Sequence, residues 1–157
     1  MKLTRREIQE LVELDALCFE PPINYSYSEM KHYTGRPGAI LLREYDGNQL
    51  TAFCLGDARD GSIVTIDVHP GFRRHGLGRR LLKRIIEELE ACGVTRAISQ
   101  IALDNLPSLL LHKNMGFEIR SILYGYYPDG SAAYELELPL QSSKKKRKSR
   151  EKRDETL

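Results

Sequence analysis

Arg73, Arg74, Gly76, Gly78, Arg79 and Arg80 fall within one short stretch, behind an apolar run ending at Val68 and ahead of an apolar repeat starting at Leu77. Glycines let a backbone approach a ligand closely, and free N–H groups at a helix start can ring a phosphate. Arginines on either side add charge-assisted hydrogen bonds. The chemistry on offer is the holding of a polyanion. The helix that follows has its charges reversed for its own dipole, with Arg79, Arg80, Lys83 and Arg84 early and Glu87, Glu88 and Glu90 late. A helix dipole favours the opposite order, so an anionic ligand at the N-terminus is expected.

Two other phosphate loops fail on specific residues. Gly71 to Gly76 has the spacing of a nucleoside-triphosphate loop, but Leu77-Gly78 stands where Lys and Ser or Thr are needed. Gly76-Leu77-Gly78 could open a dinucleotide fingerprint, but Leu81 occupies the third glycine position. A glycine-rich turn with a solvated basic flank is the bland alternative.

The pattern Arg-x-x-Gly-x-Gly, here Arg73, Gly76 and Gly78, resembles the acyl-CoA pyrophosphate loop of the Gcn5-related N-acetyltransferases (GNAT). A second stretch extends the likeness: Asn105, a small residue at Ser108, a helix-forming run and a terminal Gly116-Phe117 are similar to that family's second motif. The two motifs span residues 63–117, and weaker similarity covers most of residues 3–140. The resemblance implies acetyl-CoA as co-substrate, with the backbone of Ile66 and Val68 pairing its pantetheine amides. Arg73, Arg74, His75, Gly76, Leu77, Gly78 and Arg79 would cradle the pyrophosphate, and Asn105 would help from the second motif. Asn105 equally suits a helix cap. No metal is implied. Holding a thioester beside an amine makes attack effectively intramolecular, and a backbone N–H near Val68 can stabilise developing negative charge.

Proton-handling groups depart from the family pattern. His112 stands where relatives often have the Tyr that protonates the departing thiolate; imidazolium can donate a proton, and a structural histidine is the alternative. Gln100 stands where relatives that modify protein N-termini often place Glu or His, and glutamine cannot take up a proton. Asp67, beside the presumed cofactor strand, is a candidate base whose side chain could instead face away into a structural hydrogen bond.

Tyr126 and Tyr127, within Gly125-Tyr-Tyr-Pro-Asp-Gly130, resemble the Tyr-Tyr hairpin of protein N-terminal acetyltransferases, including the ribosomal-protein alanine type. Phe19 to Tyr25 looks like their first inter-helix loop. Phe19, Tyr25, Tyr126 and Tyr127 are therefore the expected substrate-binding residues, ordinary strand tyrosines being the alternative. The expected activity is transfer of an acetyl group to a primary amine, foremost a protein or peptide N-terminal α-amine. A small-molecule amine acetyltransferase and a non-catalytic acyl-CoA-binding module stay open as rivals.

These residues need elements to position them. Thr4 to Glu7 forms a capping box opening a helix with Ile8, Leu11, Val12, Leu14 and Leu17 on one side, and Ser26 to Glu29 offers a second, ending near Gly35. Strands flank Asp46-Gly47-Asn48, a hairpin signal, and another strand runs from Ile63 to His69. Leu77, Leu81, Leu82, Ile85, Ile86 and Leu89 recur at helical spacing. Ala97 to Leu103 reads as a strand, and a final hairpin has Pro128-Asp129-Gly130 at its tip. The fold class is α/β (α+β). The resemblance implies the GNAT fold, a central mixed, mostly antiparallel twisted sheet flanked by helices. Met1-Lys2-Leu3 leaves almost no room for the family's first edge strand, which is expected to be short or missing.

The 157 residues suffice for one core. Of 24 basic and 22 acidic side chains, eight bases and three acids fall in residues 144–157, leaving a mildly acidic body of 16 and 19. The division expected is an acetyltransferase domain at 1–140 and a disordered basic tail at 141–157, either solubilising or contacting RNA or another acidic partner. Cys18, Cys54 and Cys92 are odd in number and lack Cys-x-x-Cys spacing, which argues against a disulfide framework or zinc site and for a reducing cytoplasm. No apolar run approaches a membrane span and no signal-peptide core is evident. The oligomeric expectation is a monomer or homodimer.

Overall fold

The computed structural model describes residues 2–141. The tail expected over 141–157 therefore lies, beyond Gln141, outside the described residues. The chain starts directly on helix α1 (Arg5–Cys18), so among the described residues no strand precedes it. Thr4 and Glu7 close the capping box at its start. The loop after α1 turns through a cis Pro21-Pro22 bond into α2 (Tyr27–Thr34), capped reciprocally by Ser26 and Glu29.

Six strands form one sheet: β1 (Ala39–Asp46), β2 (Gln49–Asp57), β3 (Ser62–Val68), β4 (Arg96–Ala102), β5 (Glu118–Leu123) and β6 (Ala133–Pro139). Their spatial order is β1-β2-β3-β4-β6-β5, and all neighbours are antiparallel except β3 and β4. Helix α3 (Leu77–Ala91) makes the crossover between that parallel pair, and α4 (Leu106–Asn114) follows β4. The turn of Gly47 and Asn48 joins β1 to β2, with Gly47 in the left-handed region that such a turn needs.

The sheet separates two cores. On one face Leu81, Leu82, Ile85, Ile86 and Leu89 of α3 pack with Ala52, Cys54, Ala97, Ile101, Phe117 and Leu136. On the other, Ile8, Leu11 and Leu14 of α1 and Met30 of α2 pack against Leu50, Phe53 and Leu55. The seven-step stripe on α3 explains its docking. Each fully buried Leu or Ile contributes about 1.5–3 kcal/mol of transfer free energy.

The feature that positions the site is where β3 and β4 stop pairing. Only Ser62 with Ile98 and Ile63 with Ser99 are in register. At that point the register of β3 on β2 also shifts, with Leu55 opposite Thr65 and Gly56 opposite Ile63, so Val64 is the extra residue of a β-bulge. Bulges bend a strand and increase its twist. Beyond it β3 swings away from β4 and leaves a wedge in the middle of the sheet.

Candidate active site

The wedge opens into a cavity of about 250 Å³ lined by Val64, Thr65 and Ile66 of β3 and Ser99 to Ala102 of β4. Asn105, Ser108 and His112 of the α4 region close one side; Phe19, Ile23, Tyr25, Tyr33, Arg36, Tyr126 and Tyr127 close the other. The wedge-facing edge of β3 has no strand partner beyond Ile63. The Val64 carbonyl instead accepts from the Tyr25 hydroxyl at 3.2 Å, and the Val68 carbonyl from Arg73 Nε at 3.1 Å and from the Cys18 thiol at 3.3 Å. By strand alternation the polar groups of Ile66 face the same gap. An extended amide-bearing chain would complete the ladder there.

The wedge leads to the basic turn. Arg74 has φ 68 and Gly76 has φ 75, both left-handed, which is costly for an arginine and natural for glycine. Gly76 is the N-cap of α3 and supplies no side-chain hydrogen bond to it. The first N–H that closes an α3 turn is that of Arg80, onto the Gly76 carbonyl at 3.0 Å, so the N–H groups of Leu77, Gly78 and Arg79 have no intrahelical acceptor. Gly78 is needed for another reason: a Cβ there would lie 3.3 Å from Leu111 and 3.7 Å from Val68, at the seam of α3, α4 and β3. The reversed charges of α3 have two explanations. Arg80 and Arg84 pair with Glu44 of β1, at 2.9 and 3.4 Å, while Arg79 has no such partner among the described residues. Arg73, Arg74 and Arg79, and not the whole cationic half of the helix, are thus left to meet an anion.

Asn105 caps α4, its Oδ1 accepting from the Ser108 N–H at 3.3 Å, and also lines the cavity. His112 is 1% exposed. Its Nδ1 lies 2.8 Å from the Ser108 carbonyl, which can only accept a hydrogen bond, so Nδ1 carries the hydrogen and Nε2 presents a lone pair with no partner among the described residues. Burial lowers its pKa despite that bond. A proton-donating imidazolium is therefore disfavoured; the histidine stands as a neutral acceptor against the Phe117 ring.

Asp67 does not reach the cavity, a correction to its candidacy as base. It is 1% exposed and buried under α1, where Thr65 Oγ1 donates to it at 2.5 Å and Asp15 adjoins it. Desolvation, then the charge of Asp15, raises its pKa. Asp15 is raised by desolvation too, and its Oδ2 accepts from the Tyr25 N–H at 2.6 Å. One oxygen of each carboxyl lacks another partner, consistent with a proton shared between them.

On the other side of the cavity, Tyr126 and Tyr127 meet edge to face with ring centroids 4.9 Å apart. Burial first, then Tyr126 and Asp104, pushes the Tyr127 phenol up to about 12, so it stays a donor. Tyr25 lines the cavity, but its hydroxyl is spent on the bulge. Tyr33 and Arg36 were not expected from sequence; Arg36 stacks on the Tyr33 ring at 4.6 Å and reaches Asp57 at 3.6 Å. Neither has motif spacing that could have revealed it. Gln100 sits on the cavity wall with its Nε2 donating to Glu135 Oε1 at 3.1 Å, a partner 35 residues away in sequence.

Among the described residues no helix is long and apolar enough to cross a membrane, and no cluster of three metal-ligating side chains occurs.

Comparison with known proteins agrees with this geometry. The chain is 36% identical over 108 residues to the ribosomal protein bS18-alanine N-acetyltransferase of Salmonella typhimurium, covering 66% of this chain and 72% of that one. Its Escherichia coli counterpart aligns over 47% of its own length. The crystal structure of the Escherichia coli ribosomal-protein-S18-alanine N-acetyltransferase superposes with a TM-score of 0.78 at 23% identity, covering 91% of this chain and 94% of that one. That of yncA, an acetyltransferase from Salmonella typhimurium with its cofactor acetyl-CoA, gives 0.71 at 18%, covering 90% and 93%. The acetyltransferase (GNAT) family profile matches residues 8–117, and the chain belongs to that family.

Proposed function

We propose that this acetyltransferase modifies the N-terminal α-amine of a protein or peptide in the cytoplasm. The observation that supports the reading most is the two-sided cavity: the β3 edge that has no β4 partner and the α4 region on one side, a cage of tyrosines on the other. An extended peptide matches a wall made of Tyr33, Tyr126 and Tyr127, whose hydroxyls and ring faces suit backbone amides. The 36% identity to an enzyme named for the alanine terminus of a ribosomal protein supports the same class of acceptor.

Acetyl-CoA fits the residues present. The β3 edge at Ile66 and Val68, which has no β4 partner, suits its amide arm once Arg73 and Cys18 release the Val68 carbonyl, and the N-terminus of α3 with Arg73, Arg74, His75 and Arg79 suits its pyrophosphate. When bound it supplies the activated acyl group. The chain's own part is to hold the amine beside that group, exclude water, and manage protons. His112, neutral with its lone pair at Nε2, orients a donor on the cofactor side.

The test is release of CoA from acetyl-CoA with a panel of N-terminal peptides and small amines, alongside His112→Phe. Peptide-dependent turnover is expected, falling less than about tenfold in the variant, because an acceptor is not the proton donor. Turnover with small amines alone would move the protein to the small-molecule class. Tight acetyl-CoA binding with no turnover on any amine would make it a binding module.

A further inference from the structure

The position where relatives often carry a base holds Gln100, and the cross-strand neighbour of Gln100 on β6 is Glu135. A carboxylate only accepts, so it fixes the glutamine amide with Nε2 toward Glu135 and Oε1 away from it. The other Glu135 oxygen lies 3.5 Å from the Ser121 hydroxyl of β5. Both neighbours are neutral donors, and among the described residues Glu135 makes no ion pair. Its charge is felt at the cavity, where it is one of the causes, after burial and Tyr33, that raise the Tyr126 phenol. The half-buried Glu135 thus sits one side chain behind the acceptor wall.

We infer that Glu135 is the proton acceptor for the substrate amine, displaced by one strand from the position that Gln100 occupies and reached through a water held by Gln100 Oε1. This rests on the amine-acetylating function proposed above. An α-amine with a pKa of about 8 arrives mostly as ammonium at neutral pH and cannot attack until it loses a proton. One ammonium proton passes to Glu135, and the freed nitrogen pair forms the C–N bond to the acyl carbon. The C–S bond breaks with its pair on sulfur, and the second proton displaced from nitrogen ends on that sulfur. The products are amide, thiol and protonated Glu135, whose accessible edge returns its proton to bulk water.

The experiment uses the full chain, with an acceptor peptide that the wild type turns over, from about pH 6 to about pH 9. Glu135→Gln is expected to lower kcat by about 10- to 100-fold at neutral pH, with the deficit closing above the pKa of the amine and acetyl-CoA affinity unchanged. Adding Gln100→Glu to that variant should restore most of the activity. Without acetyl-CoA, Glu135→Gln should weaken the free-amine peptide but not its des-amino analogue. A Glu135→Gln enzyme equal to wild type at every pH overturns the inference, as does a pH-independent loss that the second substitution fails to restore. A wild type that turns over no amine removes the proposed function itself, and this inference with it.

Discussion

Toward α3 and α4 the site offers mainly backbone: a β3 edge without a β4 partner beyond Ile63 along the cavity and, past the end of β3, the N–H groups at Leu77 to Arg79 and a glycine packed against Leu111. On the side of α1, α2 and the β5–β6 connection it offers side chains: Phe19, Tyr33, Arg36, Tyr126 and Gln100, with Glu135 behind the last of them. Backbone groups are indifferent to most substitutions, so the sequence that creates them is short and stereotyped. Side-chain walls are rebuilt residue by residue for each acceptor. The first half therefore speaks of a shared ligand and the second of a particular one.

The sharpest way to break the division is Gly76→Glu. It forces a side chain onto φ 75 and places an acid where an anion should sit. Acetyl-CoA affinity measured by calorimetry should fall by about 100-fold or more, while peptide affinity in the absence of acetyl-CoA holds. Loss of both together would show that the halves are not separable. Tyr126→Ala is the mirror experiment, expected to raise the peptide KM by about tenfold with acetyl-CoA affinity unchanged. An equal change in both constants would count against the assignment of sides.

The third test lies at the seam. Asp67 has a folded pKa raised above its unfolded value, so the folded state binds the extra proton between them; that contribution is present below the unfolded pKa and is lost as pH rises through the folded one. Asp67→Asn should flatten the decline of stability toward alkaline pH in denaturant titrations. An unchanged slope would mean that the Asp15 and Asp67 pair shares no proton. The effect is on stability alone, with both affinities close to wild type.

Most elements were legible because local signals agreed with tertiary ones. Thr4 and Ser26 cap the helices their boxes announce, and α3 buries the stripe its spacing draws. The glycine-spaced turn into α3 was legible for the backbone reason given above. The order β4-β6-β5 was not, since hairpin signals say which strands turn but not which one inserts. For that reason Glu135 went unnoticed, 35 residues from the glutamine it contacts. Asp67 misled because adjacency along a strand says nothing about face: Ile66 and Asp67 are neighbours in sequence and sit on opposite sides of the sheet. His112 stood where a donor was expected, but its protonation depends on a carbonyl and a depth of burial that no motif records.

The insertion of β6 between β4 and β5 also sets an order of assembly. During synthesis the wedge, the basic turn and α4 emerge with β4 carrying one open edge, which waits until residues 133–139 pass back across it. A nascent or prematurely stopped chain ending after β5 would have every backbone element of the proposed cofactor side, yet neither Glu135 nor the strand that joins β4 to β5. Such a chain would present the bare edge of β4 to any passing strand, a template for aggregation. Catalytic competence and protection from misassembly thus arrive in the same step.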